Sequence, residues 1–421
     1  MTIKILKQLR LTVMAIALIA LATPNCTAQT IAYTDVTLET MTKEGQIKNG
    51  TLVIQGDKIV DVGKDIKIPD DARVISLAGK TIMPGMVDPY FVFRTSSATG
   101  SQPQTITVNG RTFTINRGTT QFSAGSFTRI GEYFYPYKFD FKPAIRTGIT
   151  VGNFVSNGRG LSAYANVSDE KTSEMIFKDE GFLFAQVTNQ TGALDIIRKP
   201  LTTEVKKTTT TSSKSSTTKT SASTSATGSE KPSAADQEKA LWASVKSGKS
   251  PLFLNANNAA TVAYILKFLE DHEKVKLNLV TTGSNIYELL DDIKANKNIT
   301  VVLTPSIDQV PYTSDLMNVP KMLVEKGIPF AFSMSMNGSQ MRGGQDDPMF
   351  PLAMLVRTGL NRETALKSVT LKPAQLMDIE KTHGSLAKDK MANLLIFDGD
   401  PLATGSRLQK VILNGKTIHE N

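Results

Sequence analysis

The chain has 421 residues, enough for one large or two moderate domains, and its 40% hydrophobic and 7% aromatic content is typical of a globular protein. The formal net charge of +9 would suit a nucleic-acid partner, but the lysines are spread along the chain without an arginine and aromatic stripe or a nucleic-acid-binding module. Composition and charge therefore favour a globular protein with a basic, solvated surface and exclude a nucleic-acid partner.

The first segment has the pattern of a secretory signal peptide. Basic residues precede an apolar run at 11–22, and small residues suited to cleavage follow it. The run is shorter than the roughly 20 apolar residues of a permanent membrane helix, so no stable membrane span is expected. We predict a signal peptide over residues 1–28, cleavage after Ala28, and a secreted or periplasmic protein. A lipoprotein anchored through Cys26 is the alternative, although the preceding residues fit that signal poorly.

Both ends of the mature chain have the pattern of β-structure. Residues 29–83 contain short apolar runs, two of which are joined at Gly56-Asp57, a typical hairpin turn. Residues 383–421 contain a similar pair joined at Asn414-Gly415. Because these two regions bracket a different middle, we predict one small composite β-sandwich built from both chain ends.

The middle of the chain, residues 84–382, alternates apolar strands with amphipathic helices. Repeated strand and helix units indicate a parallel sheet, and their number favours a closed barrel over an open sheet. We therefore predict an α/β fold, a distorted (β/α)8 TIM barrel. The strand-like segments are "TGITVGNFV", "EGFLFAQV", "SPLFLNA", "KLNLVTT", "ITVVLTP" and "IPFAFSMS", and the helical ones are "NNAATVAYILKFLEDHEKV" and "SNIYELLDDIKANK".

One tract inside the barrel region differs sharply in composition. Residues 204–239 are nearly all Ser, Thr, Lys and Ala. Such a segment has almost nothing to bury and cannot offset the entropy of ordering, so we predict a disordered surface insertion.

Three motifs, in order, resemble those of the amidohydrolase superfamily, and most closely its imidazolonepropionase-like branch. They are "GKTIMPGMVD" at the first barrel strand, "AIRTGITVGNF" after it, and "NRETALKSVTLKPAQLMDIEKTHGSLAKDKMANLLIFDGDPL" near the end. The resemblance covers the mature chain except the Ser/Thr tract. It implies hydrolysis of carbon-nitrogen bonds with zinc or another divalent metal, held at the carboxyl ends of the barrel strands.

The positions that match the family's metal ligands carry other residues. The family's His-x-His on strand one aligns with Tyr90 and Val92, its histidines on strands five and six with Asn255 and Thr282, and its aspartate on strand eight with Ser335. Valine cannot coordinate a metal, and neutral oxygens are weak ligands for a zinc-like ion. We therefore predict a degenerate site that holds no metal cofactor.

Other residue types provide little to replace these ligands. The three histidines, His272, His383 and His419, do not lie at ligand spacing, and the mature chain has no thiol if cleavage follows Ala28. Three acidic residues could lie at the barrel mouth: Asp88, Asp346 and Asp347. A carboxylate site for a hard ion remains an alternative for the last two, and Asp88 is interpreted as fixing strand geometry.

Two functional hypotheses follow. The first is a catalytically inactive pseudoenzyme that binds a ligand or an active amidohydrolase paralogue, or forms a homo-oligomer. The alternative is an active hydrolase of carbon-nitrogen bonds, in cyclic amides or peptide-like substrates, with a non-standard site made from the acidic residues, Tyr90 and Ser335.

Overall fold

The computed structural model describes residues 29–92, 104–108, 111–115, 127–134, 136, 139–169, 175–187, 194–202, 233–310, 312–336 and 347–421. Several predictions lie outside these residues. They are the signal peptide, Cys26, Asp346 and most of the Ser/Thr tract, residues 204–232.

The strands are numbered in chain order. They are β1 (Thr30–Glu39), β2 (Gln46–Gln55), β3 (Lys58–Gly63), β4 (Arg73–Ser76), β5 (Thr81–Pro84), β6 (Met86–Val92), β7 (Gln104–Val108), β8 (Arg111–Ile115), β9 (Phe127–Arg129), β10 (Ile149–Val155), β11 (Arg159–Leu161), β12 (Ala163–Asn166), β13 (Ile176–Lys178), β14 (Leu183–Val187), β15 (Leu252–Ala256), β16 (Leu277–Val280), β17 (Ile299–Leu303), β18 (Asp308–Gln309), β19 (Leu316–Met317), β20 (Phe330–Phe332), β21 (Leu394–Phe397), β22 (Leu408–Leu413) and β23 (Lys416–Glu420).

The helices are mostly short. They are α1 (Ile130–Tyr133), α2 (Lys142–Thr147), α3 (Asp195–Thr202), α4 (Ala234–Lys246), α5 (Ala259–Leu269), α6 (Leu290–Ala295), α7 (Val319–Lys326), α8 (Phe350–Arg357), α9 (Arg362–Lys367) and α10 (Leu371–Leu376), with a 3₁₀ turn at Gly283–Asn285. Within the described ranges, no helix has both the length and the apolar character needed to cross a membrane.

Strands from both chain ends form one eight-stranded sheet. Its order is β23-β22-β21-β5-β1-β2-β3, with β4 paired to β1. The hairpin turns are those that the sequence predicts: Gly56 has a positive φ of 59°, and Asn414 and Gly415 have φ values of 50° and 75°. A small core that includes Val36, Leu52 and Ile412 covers one face of this sheet. Its second layer, and so the sandwich, stays a prediction.

The middle of the chain is built mainly from parallel strands. In a seven-stranded sheet, β14, β15, β16, β17 and β20 are parallel neighbours, and β11 and β9 extend the β14 edge. A four-stranded sheet holds β6 beside β10, also in parallel, followed by β12 and β13. The six strand-like segments predicted from the sequence are all strands here. The mixed α/β class is therefore confirmed.

Local sequence signals explain where the helices of this region begin and end. The Asn258 side chain accepts from the Thr261 backbone N–H at the start of α5, which is standard N-capping. Asn318 does the same for α7, and that helix ends at Gly327, whose φ is 70°. At β15, the cap residue Asn258 thus places a polar turn at the carboxyl end of the strand.

The two sheets approach each other at β6 and β20. The Val87 N–H donates to the Val369 carbonyl at 2.9 Å, and the Phe332 N–H donates to the Ser368 carbonyl at 2.8 Å. Residues 368–369 thus bridge β6 and β20, and no ladder joins these two strands in the described chain. Closure of the strands into a complete barrel stays a prediction.

The predicted insertion is too long at its carboxyl end. Residues 234–239, which the sequence places in the disordered tract, form the first turns of α4. The Ser233 side chain caps this helix by accepting from the Asp236 N–H at 3.2 Å. Composition alone hid this capping signal because the surrounding residues are small and polar.

Candidate functional site

The site is built on β6, where Asp88 and Tyr90 lie two residues apart. Alternate side chains of a strand share a face, so these two point to the same side. Asp88 is fully buried and Tyr90 is 2% exposed. All residues from Met86 to Phe91 are buried, as expected for a strand that is covered on both faces.

Both carboxylate oxygens of Asp88 are hydrogen-bonded. Oδ1 accepts from the Tyr90 backbone N–H at 2.9 Å and from the Ser333 hydroxyl at 2.8 Å. Oδ2 accepts from the Ser335 backbone N–H at 2.7 Å. Burial raises the pKa of Asp88, and the hydrogen bonds oppose that rise because they favour the charged form. Asp88 therefore ties β6 to the segment that follows β20.

The two serines also contact the backbone of β6. The hydroxyls of Ser333 and Ser335 each lie 3.2 Å from the Tyr90 carbonyl oxygen. The two hydroxyl oxygens are 3.4 Å apart. Both side chains therefore reach β6 from the segment that follows β20.

The Tyr90 side chain extends toward the end of β15. Its hydroxyl lies 3.4 Å from Asn255 Nδ2, which is a long hydrogen bond. Burial raises the pKa of Tyr90 to about 12, so its side chain is a neutral phenol at physiological pH. Asn255 Oδ1 is buried and accepts no hydrogen bond from any residue that the structure describes.

Two of the five predicted ligand positions lie apart from this hydrogen-bonded group. Val92 pairs with Val155 of β10 and packs, half-buried, against the larger core. The Thr282 hydroxyl lies 3.1 Å from the Ser284 hydroxyl in the turn after β16. The other three positions are linked to one another through β6.

Asp347, predicted at the barrel mouth, has a local partner. Its Oδ1 accepts from the Met349 backbone N–H at 3.0 Å, just before α8 begins. Burial raises its pKa. This bond satisfies one unpaired N–H at a helix start. A hard-ion site that combines Asp347 with Asp346 stays a prediction, because Asp346 lies outside the described residues.

The histidines occupy packing positions. His383 is 8% exposed and stacks on Phe177 with ring centroids 5.5 Å apart. Burial, with the nearby lysines, lowers the pKa of His383 to about 4. His272 stacks on Phe268 at 4.3 Å, and His419 lies in β23 at the chain end.

A divalent ion does not fit the side chains that meet on β6. Structural and catalytic zinc sites use at least three imidazole, thiolate or carboxylate ligands. Here Asp88 is the one carboxylate in the hydrogen-bonded group, and Tyr90 and Asn255 are neutral. Among the residues described, no three His, Cys, Asp or Glu side chains lie close enough to share an ion. The group's available chemistry is hydrogen bonding.

Sequence reasoning missed two side chains that hold the site. Ser333 could have been found, because it lies two residues before Ser335 on the same face. Asn153 of β10 is fully buried, and its Nδ2 donates to the Pro89 carbonyl of β6 at 2.9 Å. It sits within an apolar strand, where no neighbouring residue signals its partner.

Comparison with known proteins places these features in a family. The profile described as "Amidohydrolase family" matches residues 192–418. An imidazolonepropionase of Flavobacterium johnsoniae is 22% identical over 403 residues, which is 88% of this chain and 92% of that protein. An imidazolonepropionase of Christiangramia forsetii is 26% identical over 193 residues, and the match spans 44% of this chain and 44% of the relative.

Solved structures share the fold. An amidohydrolase from Thermotoga maritima superposes with a TM-score of 0.66 and 18% identity, covering 93% of this chain and 100% of that one. The structure of molinate hydrolase gives a TM-score of 0.51 and 12% identity, covering 93% of this chain and 95% of that one.

Proposed function

The chain belongs to the amidohydrolase family, and on this premise we propose that it is an exported, catalytically inactive member. It uses the mouth of a distorted (β/α)8 barrel, completed by a composite β-sandwich, to bind a ligand or an active paralogous partner. The observation that carries this proposal is the state of Asp88: both of its oxygens are occupied by internal N–H and O–H donors.

The chemistry of this group supports the loss of a metal. A carboxylate that coordinates a cation offers its lone pairs to the cation, whereas Asp88 offers them to Tyr90, Ser333 and Ser335. The phenol of Tyr90 is neutral at physiological pH, as tyrosine ordinarily is, and burial raises its pKa further, to about 12. With one carboxylate and two neutral side chains, the group has fewer than the three ligands that hold a water-activating zinc-like ion.

A binding role has support from two side chains. Asn255 Oδ1 is a buried acceptor, and no described residue donates to it. Beside it, the Tyr90 hydroxyl accepts from Asn255 Nδ2 and keeps its own proton for donation. An unpaired buried acceptor costs roughly 1–3 kcal/mol. A ligand with a matching donor and acceptor would remove that cost without any chemical step.

Elemental analysis of protein purified from the periplasm tests whether the protein is an inactive family member that holds no metal. We expect clearly less than one zinc, manganese or nickel ion per chain after dialysis, because Tyr90 and Asn255 replace imidazoles. One tightly held divalent ion per chain would overturn the proposal.

A variant with the five family ligands restored is the matched control. It carries Tyr90→His, Val92→His, Asn255→His, Thr282→His and Ser335→Asp, and it should gain a divalent ion if the strands align as proposed. A folded fivefold variant that binds no zinc would show that the register assigned to these positions is wrong.

The proposed export has its own test. N-terminal sequencing of the native protein should find Gln29 first, as cleavage after Ala28 requires. An acylated Cys26 would instead establish the lipoprotein alternative.

A carbon-nitrogen hydrolase with a non-standard site is the second candidate. What favours it is membership of a family described as amidohydrolases, together with a buried carboxyl group, Asp88, whose pKa is raised by burial. Turnover of a cyclic amide by metal-free protein, lost in Ser335→Ala, would favour this candidate over the inactive reading.

A further inference from the structure

A cleft of about 390 Å³ lies at the amino ends of the parallel strands, opposite the ends that carry Asn255. Four of its lining residues each directly precede a strand: Pro251 before β15, Lys276 before β16, Asn298 before β17 and Pro329 before β20. Backbone hydrogen bonds keep these positions side by side, as in Leu252 N–H to the Lys276 carbonyl at 2.9 Å. The rim is therefore fixed by the sheet.

Polar side chains form the floor of this cleft. Asn278 and Thr300 are direct neighbours in the β16 and β17 register, and both line the cleft. Asn278 is only 6% exposed. Neither side chain is hydrogen-bonded within the described part of the chain. Bulky branched residues dominate the layers that fill a barrel interior, whereas Asn278 and Thr300 bring an amide and a hydroxyl to this cleft.

Three lysines surround the opening. Lys276 and Lys297 come from the strand ends, and Lys372 comes from α10, which lies across the same end. The lining contains no Asp or Glu. None of the three lysines forms an ion pair with a described residue, whereas Lys326 is paired with Asp291 at 2.5 Å. The lining of this cleft therefore carries three positive charges and no negative one, while Lys297 also borders a neighbouring cleft lined by Glu270, Glu273 and Asp292.

We propose that this cleft binds a small organic anion with clustered anionic oxygens, of the phosphate or polycarboxylate type. Lysine binds phosphate as a point charge, and the Asn278 amide and Thr300 hydroxyl supply neutral donors beneath it. The volume lies near the lower end of the range for small-molecule sites. The cleft is independent of the proposed function, because it uses none of the residues on β6.

Titration calorimetry at constant ionic strength tests this, with pyrophosphate and citrate as the two probes. We expect saturable binding of at least one probe with a stoichiometry of about one, weakening as salt is added. The stronger probe identifies the phosphate or the carboxylate class. The variant Lys276→Gln, Lys297→Gln, Lys372→Gln should bind at least tenfold more weakly, or about 1.4 kcal/mol.

A matched control removes the same charge elsewhere. The control variant Lys43→Gln, Lys48→Gln, Lys67→Gln changes three exposed lysines in and beside the eight-stranded sheet. It should keep the wild-type affinity within twofold. Equal losses in both variants, or no saturable binding of either probe, would overturn the proposal.

A second variant keeps the three lysines and changes a polar side chain on the floor of the cleft. Asn278→Leu removes the amide donor and fills part of the cleft, so it should weaken binding several-fold while circular dichroism stays unchanged. Unchanged affinity in folded Asn278→Leu would mean that the lysines attract anions without a built site, and would overturn the assignment.

Discussion

Asp88→Asn should destabilise the fold by about 2–4 kcal/mol. Asparagine can keep the acceptor that takes the Tyr90 N–H and the Ser333 hydroxyl, but its amino group then faces the Ser335 N–H, which donates to Oδ2 at 2.7 Å in the native chain. A hydrogen bond to a charged group contributes roughly 1.5–3 kcal/mol, and a buried donor left unpaired costs roughly 1–3 kcal/mol. The lower desolvation cost of a neutral amide offsets part of this loss.

Urea denaturation followed by circular dichroism measures the change. The midpoint should fall while the slope with denaturant stays constant, since the surface exposed on unfolding does not change. Asp347→Asn is the matched control. Asp347 is half-buried and accepts from the Met349 N–H, and asparagine keeps that acceptor, so we expect a loss of less than about 1 kcal/mol. An Asp88→Asn protein within about 0.5 kcal/mol of wild type would refute the assignment of Asp88 as a buried acceptor that joins two strands.

Three further changes have separate readouts. Tyr90→Phe should cost less than about 1 kcal/mol in urea denaturation, because the contact to Asn255 is long at 3.4 Å; a larger loss would mean a stronger partner. The wild type should lose about 3 kcal/mol of its free energy of unfolding as pH falls from about 6.5 to about 4, because His383 has a lowered pKa in the folded state. His383→Gln should not show this loss. Stability falls as the pH falls because the unfolded chain binds the proton more tightly than the folded one. Equal slopes of unfolding free energy against pH in both proteins would contradict this prediction. Gly415→Ala should lower the thermal midpoint by several degrees, because its Cβ would lie 1.8 Å from the Gly56 carbonyl oxygen at a φ of +75°; an unchanged midpoint would show that the turn relaxes.

The strands of this protein could be predicted because their signals are local. The alternation of apolar residues and the turn residues Gly56 and Asn414-Gly415 depend on neighbours in the sequence, and the structure has a strand or turn at each. The sequence-based prediction does not include the start of α4, although Ser233 and Asp236 have capping spacing. The low complexity of residues 204–239 favours a prediction of disorder over a helix.

The site could be predicted only in part, because its contacts join distant segments. The positions of Tyr90, Asn255 and Ser335 came from the family resemblance, and the structure links them through hydrogen bonds. Asp88 accepts hydrogen bonds from residues more than 240 positions away, such as the Ser333 hydroxyl at a separation of 245. No local signal in the sequence indicates these contacts. Hydrogen bonds between such distant segments are determined by tertiary packing, and the residues next to Asp88 in the sequence do not indicate them.

The way in which Asp88 is stabilised bears on the proposed loss of the metal site, which we expect no single substitution to reverse. A buried carboxylate needs either a cation or several hydrogen-bond donors, since its charge is otherwise too costly to bury. Here three donors meet that need from within the chain. An ion arriving at β6 would have to displace bonds that Asp88 already makes, while finding a neutral phenol at Tyr90 and an amide at Asn255. The retained aspartate is therefore a structural link between β6 and the segment that follows β20.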